Sequence, residues 1–253
     1  YDIVITEVGG TVGDIEGQPF YEAIRQFILE AGKENSLVIH TTLLPFISAA
    51  GEIKTKPTQH SVMRLREIGL EPDILVCRTE DENHLTSKLK SKLGLFCNIL
   101  KNYVFESPDV ETIYEIPLVL FKQGFDRAIC KRLLLRNKKH TKIKSLEKFI
   151  RSYKNPSNSV NIAMCGKYNS LHDAYKSILE ALIHAGVENI SKVNIKWVDT
   201  EKLENNNNQV DSYFKDIDGV IIPGGFGDRG IEGKILASKY ARENNIPFLG
   251  ICL

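Results

Sequence analysis

The sequence predicts an α/β protein built from parallel sheets in two successive domains, and three observations predict it. Short runs rich in Val and Ile, bounded by Gly, Pro or Asp, alternate with longer stretches whose apolar residues recur at helical spacing, the pattern of strands joined by crossover helices. Gly-rich or basic turns follow several strand runs, at the strand end where such sheets bind ligands. A segment dense in Lys and Arg, without apolar period, interrupts the alternation, and a fresh strand run restarts it.

Along the chain, the β-branched run Asp2–Thr6 predicts a buried first strand, followed by a Gly-rich turn and a helix over Phe20–Ala31. Ser36–Thr42 and Asp73–Arg78 predict two more strands, with helices over Thr58–Ile68 and Leu85–Phe96 and Thr58 placed to cap the first of these. Between about Arg136 and Ser159 the charge run and the loop signal Asn155-Pro-Ser-Asn-Ser159 mark a linker carrying one helix over Ser145–Tyr153. Such a run reads as a solvated linker face rather than a nucleic-acid contact. A second domain opens on the strand Val160–Met164. Helices over Ala174–Ala185 and Ile231–Asn244 and strands over Val193–Val198, Gly219–Pro223 and Pro247–Cys252 follow. The expected domains are therefore 1–135 and 160–253, joined by 136–159. The run Asn205–Asn208 is a low-complexity loop excursion that needs no core.

Composition narrows the function classes. With 33 Lys+Arg against 32 Asp+Glu, the 253-residue chain carries a formal net charge of +1, so phosphate recognition must be local and no nucleic-acid-binding field is expected. No apolar run approaches the roughly 18–20 residues of a membrane span, and no secretory apolar region opens the chain, so no membrane contact is expected. Five cysteines in an odd set without CxxC spacing argue against a disulfide framework or structural zinc and for a reducing, cytoplasmic setting. The chain starts inside one apparent core strand and stops directly after another, so it reads as a piece of a longer protein.

Four segments hold residues suited to chemistry. Glu7-Val-Gly-Gly-Thr-Val-Gly-Asp-Ile-Glu16 reads either as a loop whose amides approach a ligand while Glu7 holds a hard cation, or as a Gly-rich turn in which Asp14 and Glu16 start a helix. No GxxxxGK[ST] occurs anywhere in the chain. Lys54-Thr-Lys-Pro-Thr-Gln59 gathers two cations, two hydroxyls and an amide at a helix start, an anion site suited to a triphosphate, or else an exposed basic turn. His60 beside it reads as a helix-surface histidine. Gly250-Ile-Cys252 ends a strand run as a nucleophile elbow would, or places a core cysteine. Pro223-Gly-Gly-Phe-Gly-Asp-Arg-Gly230, after the preceding strand, offers amides for an oxyanion hole or forms a plain tight turn.

Together these segments resemble the CTP synthase family. Gly9–Glu16, Ala49–Ser61, Leu95-Phe-Cys-Asn98, Gln123-Gly-Phe-Asp126, Gly166-Lys-Tyr168, Asp173-Ala-Tyr-Lys-Ser177, Pro223–Gly227 and Ala241–Pro247 match that family's pattern in order, over nearly the whole chain. The resemblance implies two doubly wound parallel α/β domains, a P-loop-kinase-like amidoligase and a flavodoxin-like class I glutamine amidotransferase, both incomplete. It implies ATP- and Mg²⁺-dependent amination of UTP to CTP with ammonia from glutamine, CTP as inhibitor, GTP as activator and a homotetramer. Residue by residue, Glu7 resembles the family's Mg²⁺ ligand. Asp14, Ile15 and Glu16 resemble the segment that meets CTP. Lys54, Thr55, Lys56, Pro57, Thr58 and Gln59 resemble the UTP/CTP triphosphate loop, and Lys92 a further phosphate lysine. Asp109 and Val110 fall where the family meets ATP, although Pro108 departs from its usual lysine. Gly225 resembles the glutamine-binding, oxyanion-forming glycine and Cys252 the nucleophile. Arg229, Gly230 and Glu232 fall in the lid linked to GTP. The family's P-loop is absent, and all six histidines precede Cys252, so the 253 residues alone are expected to be inactive. A different fused amidoligase, or a non-catalytic filament-forming or regulatory homologue, is the alternative.

Overall fold

The computed structural model of the chain describes residues 1–81, 84–136, 142–167, 172–205, 210–225 and 227–252, and the chain forms two compact units, Tyr1–Ile143 and Lys144–Leu253. Residues 206–208 of the Asn run lie outside the described residues.

The first unit is organised by a parallel sheet of three strands, β1 (Ile39–Leu43), β4 (Ile74–Thr79) and β5 (Val104–Pro108), in the order β1-β4-β5. A short antiparallel pair, β2 (Phe46–Ile47) with β3 (Glu52–Ile53), follows β1. Strand β4 is the middle strand, and its first four residues are all buried, because a parallel sheet covered on both faces leaves no polar side. Its alternation assigns the faces: Leu75 and Cys77 pack with Val62 of α2 (Lys56–Glu67) and Leu93 of α3 (Ser87–Cys97). Ile74 and Val76 pack with Leu120 of α4 (Ile116–Gln123) and Phe125 and Ile129 of α5 (Phe125–Arg132). Helix α1 (Gln18–Ala31) sends Tyr21 into a smaller cluster with Leu65 and Leu70.

Two expectations are corrected here. Asp2–Thr6 forms no strand: Ile3, Val4 and Ile5 are exposed, Ile5 at 92%. A strand is stable only with a neighbour for its N–H and C=O groups, and this run pairs with none of the described strands. Thr58 does not cap α2. The helix starts at Lys56, with Thr55 as its N-cap and Pro57 in the first turn, where a missing N–H costs nothing.

The second unit holds α6 (Ile143–Lys154) and a four-stranded parallel sheet of β6 (Asn158–Gly166), β7 (Ser191–Asp199), β8 (Gly219–Ile222) and β9 (Phe248–Gly250), in the order β7-β6-β8-β9. Counted from β6 this is 2-1-3-4, the start of the flavodoxin-like order. Helix α7 (Lys176–Glu188) lies against β7. The core joins Ala163, Cys165, Val198 and Val220 of the sheet to Leu203 of α8 (Thr200–Asn205), Tyr213 of α9 (Val210–Tyr213), and Ala237 and Ala241 of α10 (Ile231–Glu243). No helix among the described residues is long and apolar enough to cross a membrane.

Candidate functional site

In the first unit the candidate residues gather at the carboxyl ends of the strands. The Thr58 hydroxyl lies 3.1 Å from both Thr42 Oγ1 and the Leu43 carbonyl, which fixes the start of α2 over the end of β1. Gln59 Nε2 donates to Thr55 Oγ1 at 3.1 Å, and Thr55, Thr58 and Gln59 are all buried. These three side chains therefore hold the turn together, and the lysines are the groups left facing outward.

Lys54, directly after β3, pairs with Glu52, and Lys56 Nζ stands 5.7 Å from the centre of the Phe96 ring of α3. The Lys54 ammonium holds the Glu52 carboxyl below the usual carboxylate range, and the charge of Lys92 adds to that depression. Lys92 and Lys88 line one groove of about 850 Å³ with Phe46, Glu52, Ile53 and Phe96, and Lys54 and Lys56 touch its wall through Glu52 and Phe96. The exposed Pro57 sits at the helix entrance.

The Gly-rich loop lies elsewhere on the same unit. Its Thr11 N–H donates to Asp14 Oδ2 at 2.8 Å, and Ile15–Gly17 forms one 3₁₀ turn with Ile15 and Glu16 exposed. Gly13, at φ +107°, is so close to α2 that a Cβ there would meet Arg64 Nε at 3.0 Å. Arg64 is two turns beyond Lys56, about 12 Å along the helix. The hydrogen bonds of Asp14 stay within the loop and do not reach the lysine groove. Glu7 is an exposed carboxylate, and no group of three or more metal-ligating side chains occurs among the described residues. One such oxygen donor fits an ion whose other ligands are substrate phosphates and water, as Mg²⁺ commonly has.

Asp109 and the half-buried Val110 follow β5. Asp109 Oδ1 accepts from Arg78 Nε at 2.7 Å, and its backbone N–H donates to the Thr79 carbonyl at 2.9 Å. The hydrogen bond and charge of Asp109 raise the pKa of Arg78.

In the second unit, strand register builds the site. Ile222 of β8 lies opposite Gly250 of β9, and the Ile251 N–H donates to the Ile222 carbonyl at 2.9 Å, which brings the chain after β8 alongside Cys252. Cys252 is exposed with φ +63°, a left-handed conformation that is strained for a non-glycine residue. That agrees with an elbow and not with a core cysteine. Cys77, Cys97 and Cys165 are the core cysteines, and burial pushes their thiols up to about 12, 11 and 12.

The backbone of Gly224 comes close to Cys252: a Cβ there would sit 3.2 Å from Cys252 Cβ and 3.9 Å from Sγ. Gly225 is half-buried beside it, and Phe226 lies outside the described residues. Sequence reasoning chose Gly225 of the pair Pro223-Gly-Gly and did not name Gly224, whose approach to Cys252 comes from the strand register. Sequence reasoning also passed over Lys167 and Lys234. Lys167 Nζ lies 3.5 Å from the Gly227 carbonyl. Burial lowers the pKa of Lys234, the charge of Lys167 lowers it further, and Cys252 opposes both, so Lys234 is the lysine that senses the thiol.

The segment after it is anchored. Arg229 pairs with Glu201 at 3.1 Å, Gly230 is the buried N-cap of α10 at φ +72°, and Glu232 is exposed in the first helical turn. A Cβ at Gly230 would run into Thr200 Oγ1, and one at Gly233 into the Thr200 carbonyl.

Comparison with known proteins adds to this geometry. Residues 1–135 match the family model described as CTP synthase N-terminus, and residues 170–253 that of glutamine amidotransferase class-I. The CTP synthase of Methanocaldococcus jannaschii is 55% identical over 257 aligned residues, covering 100% of this chain and 47% of that protein. Those of Ruminiclostridium cellulolyticum and Clostridium beijerinckii are 52% and 54% identical, covering all of this chain and 46% of each relative. The chain therefore spans about half the length of the curated relatives it matches. Among solved structures, the Trypanosoma brucei CTPS glutaminase domain with bound acivicin matches at 40% identity with a TM-score of 0.34, over 36% of this chain and 35% of that one.

Proposed function

The chain belongs to the CTP synthase family, and from that premise we propose that the protein aminates UTP to CTP with ATP and glutamine. The first unit is the amidoligase portion. In it the γ-phosphoryl group of ATP passes to O4 of UTP, releasing ADP, and ammonia then adds at C4 and expels phosphate. The chain's own residues bind and orient the substrates for that step. Lys54, Lys56 and Lys92 offset the UTP triphosphate, and Asp109 and Val110 meet ATP. Glu7 would help hold Mg²⁺ together with substrate phosphates, and the ion would supply charge neutralisation there.

The second unit is the amidotransferase portion. Cys252 attacks the side-chain carbonyl of glutamine, the C–N bond breaks to release ammonia, and water hydrolyses the resulting thioester to glutamate. The backbone N–H groups of the Gly224–Gly225 turn hold the oxyanion. GTP acts through Arg229–Glu232, CTP inhibits through Asp14–Glu16, and the enzyme assembles as a homotetramer in the cytoplasm.

The observation that carries this reading is a groove lined by Lys88 and Lys92 of α3, whose lining residues Glu52 and Phe96 are met by Lys54 and Lys56, which supports a polyanionic substrate. Lys54→Ala in the full-length enzyme tests it. The UTP concentration needed for half-maximal rate rises about tenfold, the effect of losing one charge-assisted contact, while glutaminase turnover without UTP is retained. An unchanged UTP requirement removes the groove from the nucleotide site.

A further inference from the structure

We infer that Glu106 of β5 is a positioning residue that couples the UTP groove to the ATP segment; this rests on the reading of those two sites above. Its carboxylate is half-buried between β4, β5 and the chain leading into α3. Glu106 Oε1 accepts from the Leu85 N–H at 2.8 Å and from the Thr79 hydroxyl at 3.2 Å. Both partners are buried, so no water replaces the carboxylate when it is lost.

Each partner leads to a different nucleotide segment. Leu85 is followed at once by Thr86, whose hydroxyl caps α3 through Leu89 N–H, so the bond to Glu106 sets where α3 begins and where Lys92 stands. Thr79 shares its hydroxyl with the Asp81 carbonyl, and its own carbonyl accepts the Asp109 N–H at 2.9 Å, which fixes the turn holding Asp109 and Val110.

Glu106 is itself clamped. Gln123 of α4 accepts from the Glu106 N–H at 2.9 Å and donates to its carbonyl at 2.7 Å, and Lys90 Nζ lies 3.4 Å from the same Gln123 Oε1. Burial lowers the pKa of Lys90 and the charge of Glu106 offsets part of that, so the ammonium belongs to the same network. One side chain thus ties two substrate segments to a rigid strand without touching either substrate.

The test uses the full-length enzyme with ammonia as nitrogen donor, so that the second unit's chemistry drops out. Glu106→Ala raises KM for UTP and KM for ATP together, each about tenfold, with kcat changed less than about threefold, because the buried Leu85 N–H loses its acceptor and the Thr79 hydroxyl is left to Asp81 alone. Glu106→Gln keeps an acceptor oxygen and restores both constants. Lys92→Ala raises KM for UTP alone. The inference is overturned if Glu106→Ala moves neither KM, moves only one, or lowers kcat alone, or if Glu106→Gln is as impaired as alanine. Should Glu106→Ala fail to fold, Thr79→Val carries the test: it cuts only the link towards Asp109, so KM for ATP rises while KM for UTP, held by the Leu85 bond, does not, and an unchanged KM for ATP overturns the inference. An unchanged KM for UTP in Lys92→Ala would instead fault the groove assignment, leaving the two failures separable.

Discussion

Cys252 differs from the core cysteines in exposure and in backbone. It is exposed on a left-handed turn with Lys234 near it, whereas Cys77, Cys97 and Cys165 are buried with thiols pushed far above neutrality. Because only the thiolate is nucleophilic, brief treatment of the folded protein with iodoacetamide labels Cys252 first and leaves those three unmodified, as peptide mass mapping would read. Equal labelling of Cys165 would contradict this. Gly230 is a second residue whose identity has a physical cause. An alanine there must adopt φ +72° and also displace Thr200, so Gly230→Ala costs about 1–3 kcal/mol of stability in the second unit. A thermal melt identical to wild type would refute that.

His40 adds a dependence on pH. Burial lowers its pKa while its Nε2 lies 2.9 Å from Ser61 Oγ, so the folded state favours the neutral ring. The unfolded chain then binds the proton more readily, and the stabilisation present at neutral pH is lost as pH falls through the ordinary histidine range. Denaturant melts of the first unit should weaken from pH 7 to pH 5 in wild type and do so less in His40→Gln.

Among the elements, β4 shows why most strands and helices were legible in sequence. An unbroken apolar run flanked by Asp73 and Arg78 admits few other readings, and the same holds for β6 and α10. Truncating Leu75 at its centre, Leu75→Ala, should cost about 2–5 kcal/mol in a urea titration, since it leaves a cavity between β4 and two helices; a shift under 1 kcal/mol would mean the core collapses around it. Strand β5 was not legible, because Glu106, Ser107 and Pro108 break its apolar run, and the polar residue that hid the strand is the one that organises the loop beside it. Asp2–Thr6 shows the opposite error, since its strand propensity is evident but the described sheet contains no partner for it. The start of α2 was misjudged by two residues because Thr58 resembles a cap, yet its hydroxyl is spent on Thr42 and Leu43. Residues able to do chemistry were legible as types. Gly224, Glu106 and Lys234 were not, because register and burial, which give them their roles, are absent from a linear pattern.

At the scale of the whole molecule, a near-neutral chain holds its charge locally. Lys88 and Lys92 line a groove in the first unit, and Lys234 stands near a thiol in the second. Each unit keeps its candidate residues at the carboxyl ends of parallel strands, apart from the Gly-rich loop and Glu7, so one architectural rule serves two chemistries. The account's central claim is that these chemistries are separate, with the thiol needed only to liberate ammonia. Measuring CTP formation by full-length Cys252→Ala tests it most directly. The account predicts that synthesis from glutamine is abolished while synthesis from free ammonia stays within about twofold of wild type, because only acyl transfer loses its nucleophile. Loss of both activities, or retention of the glutamine-dependent one, would contradict it.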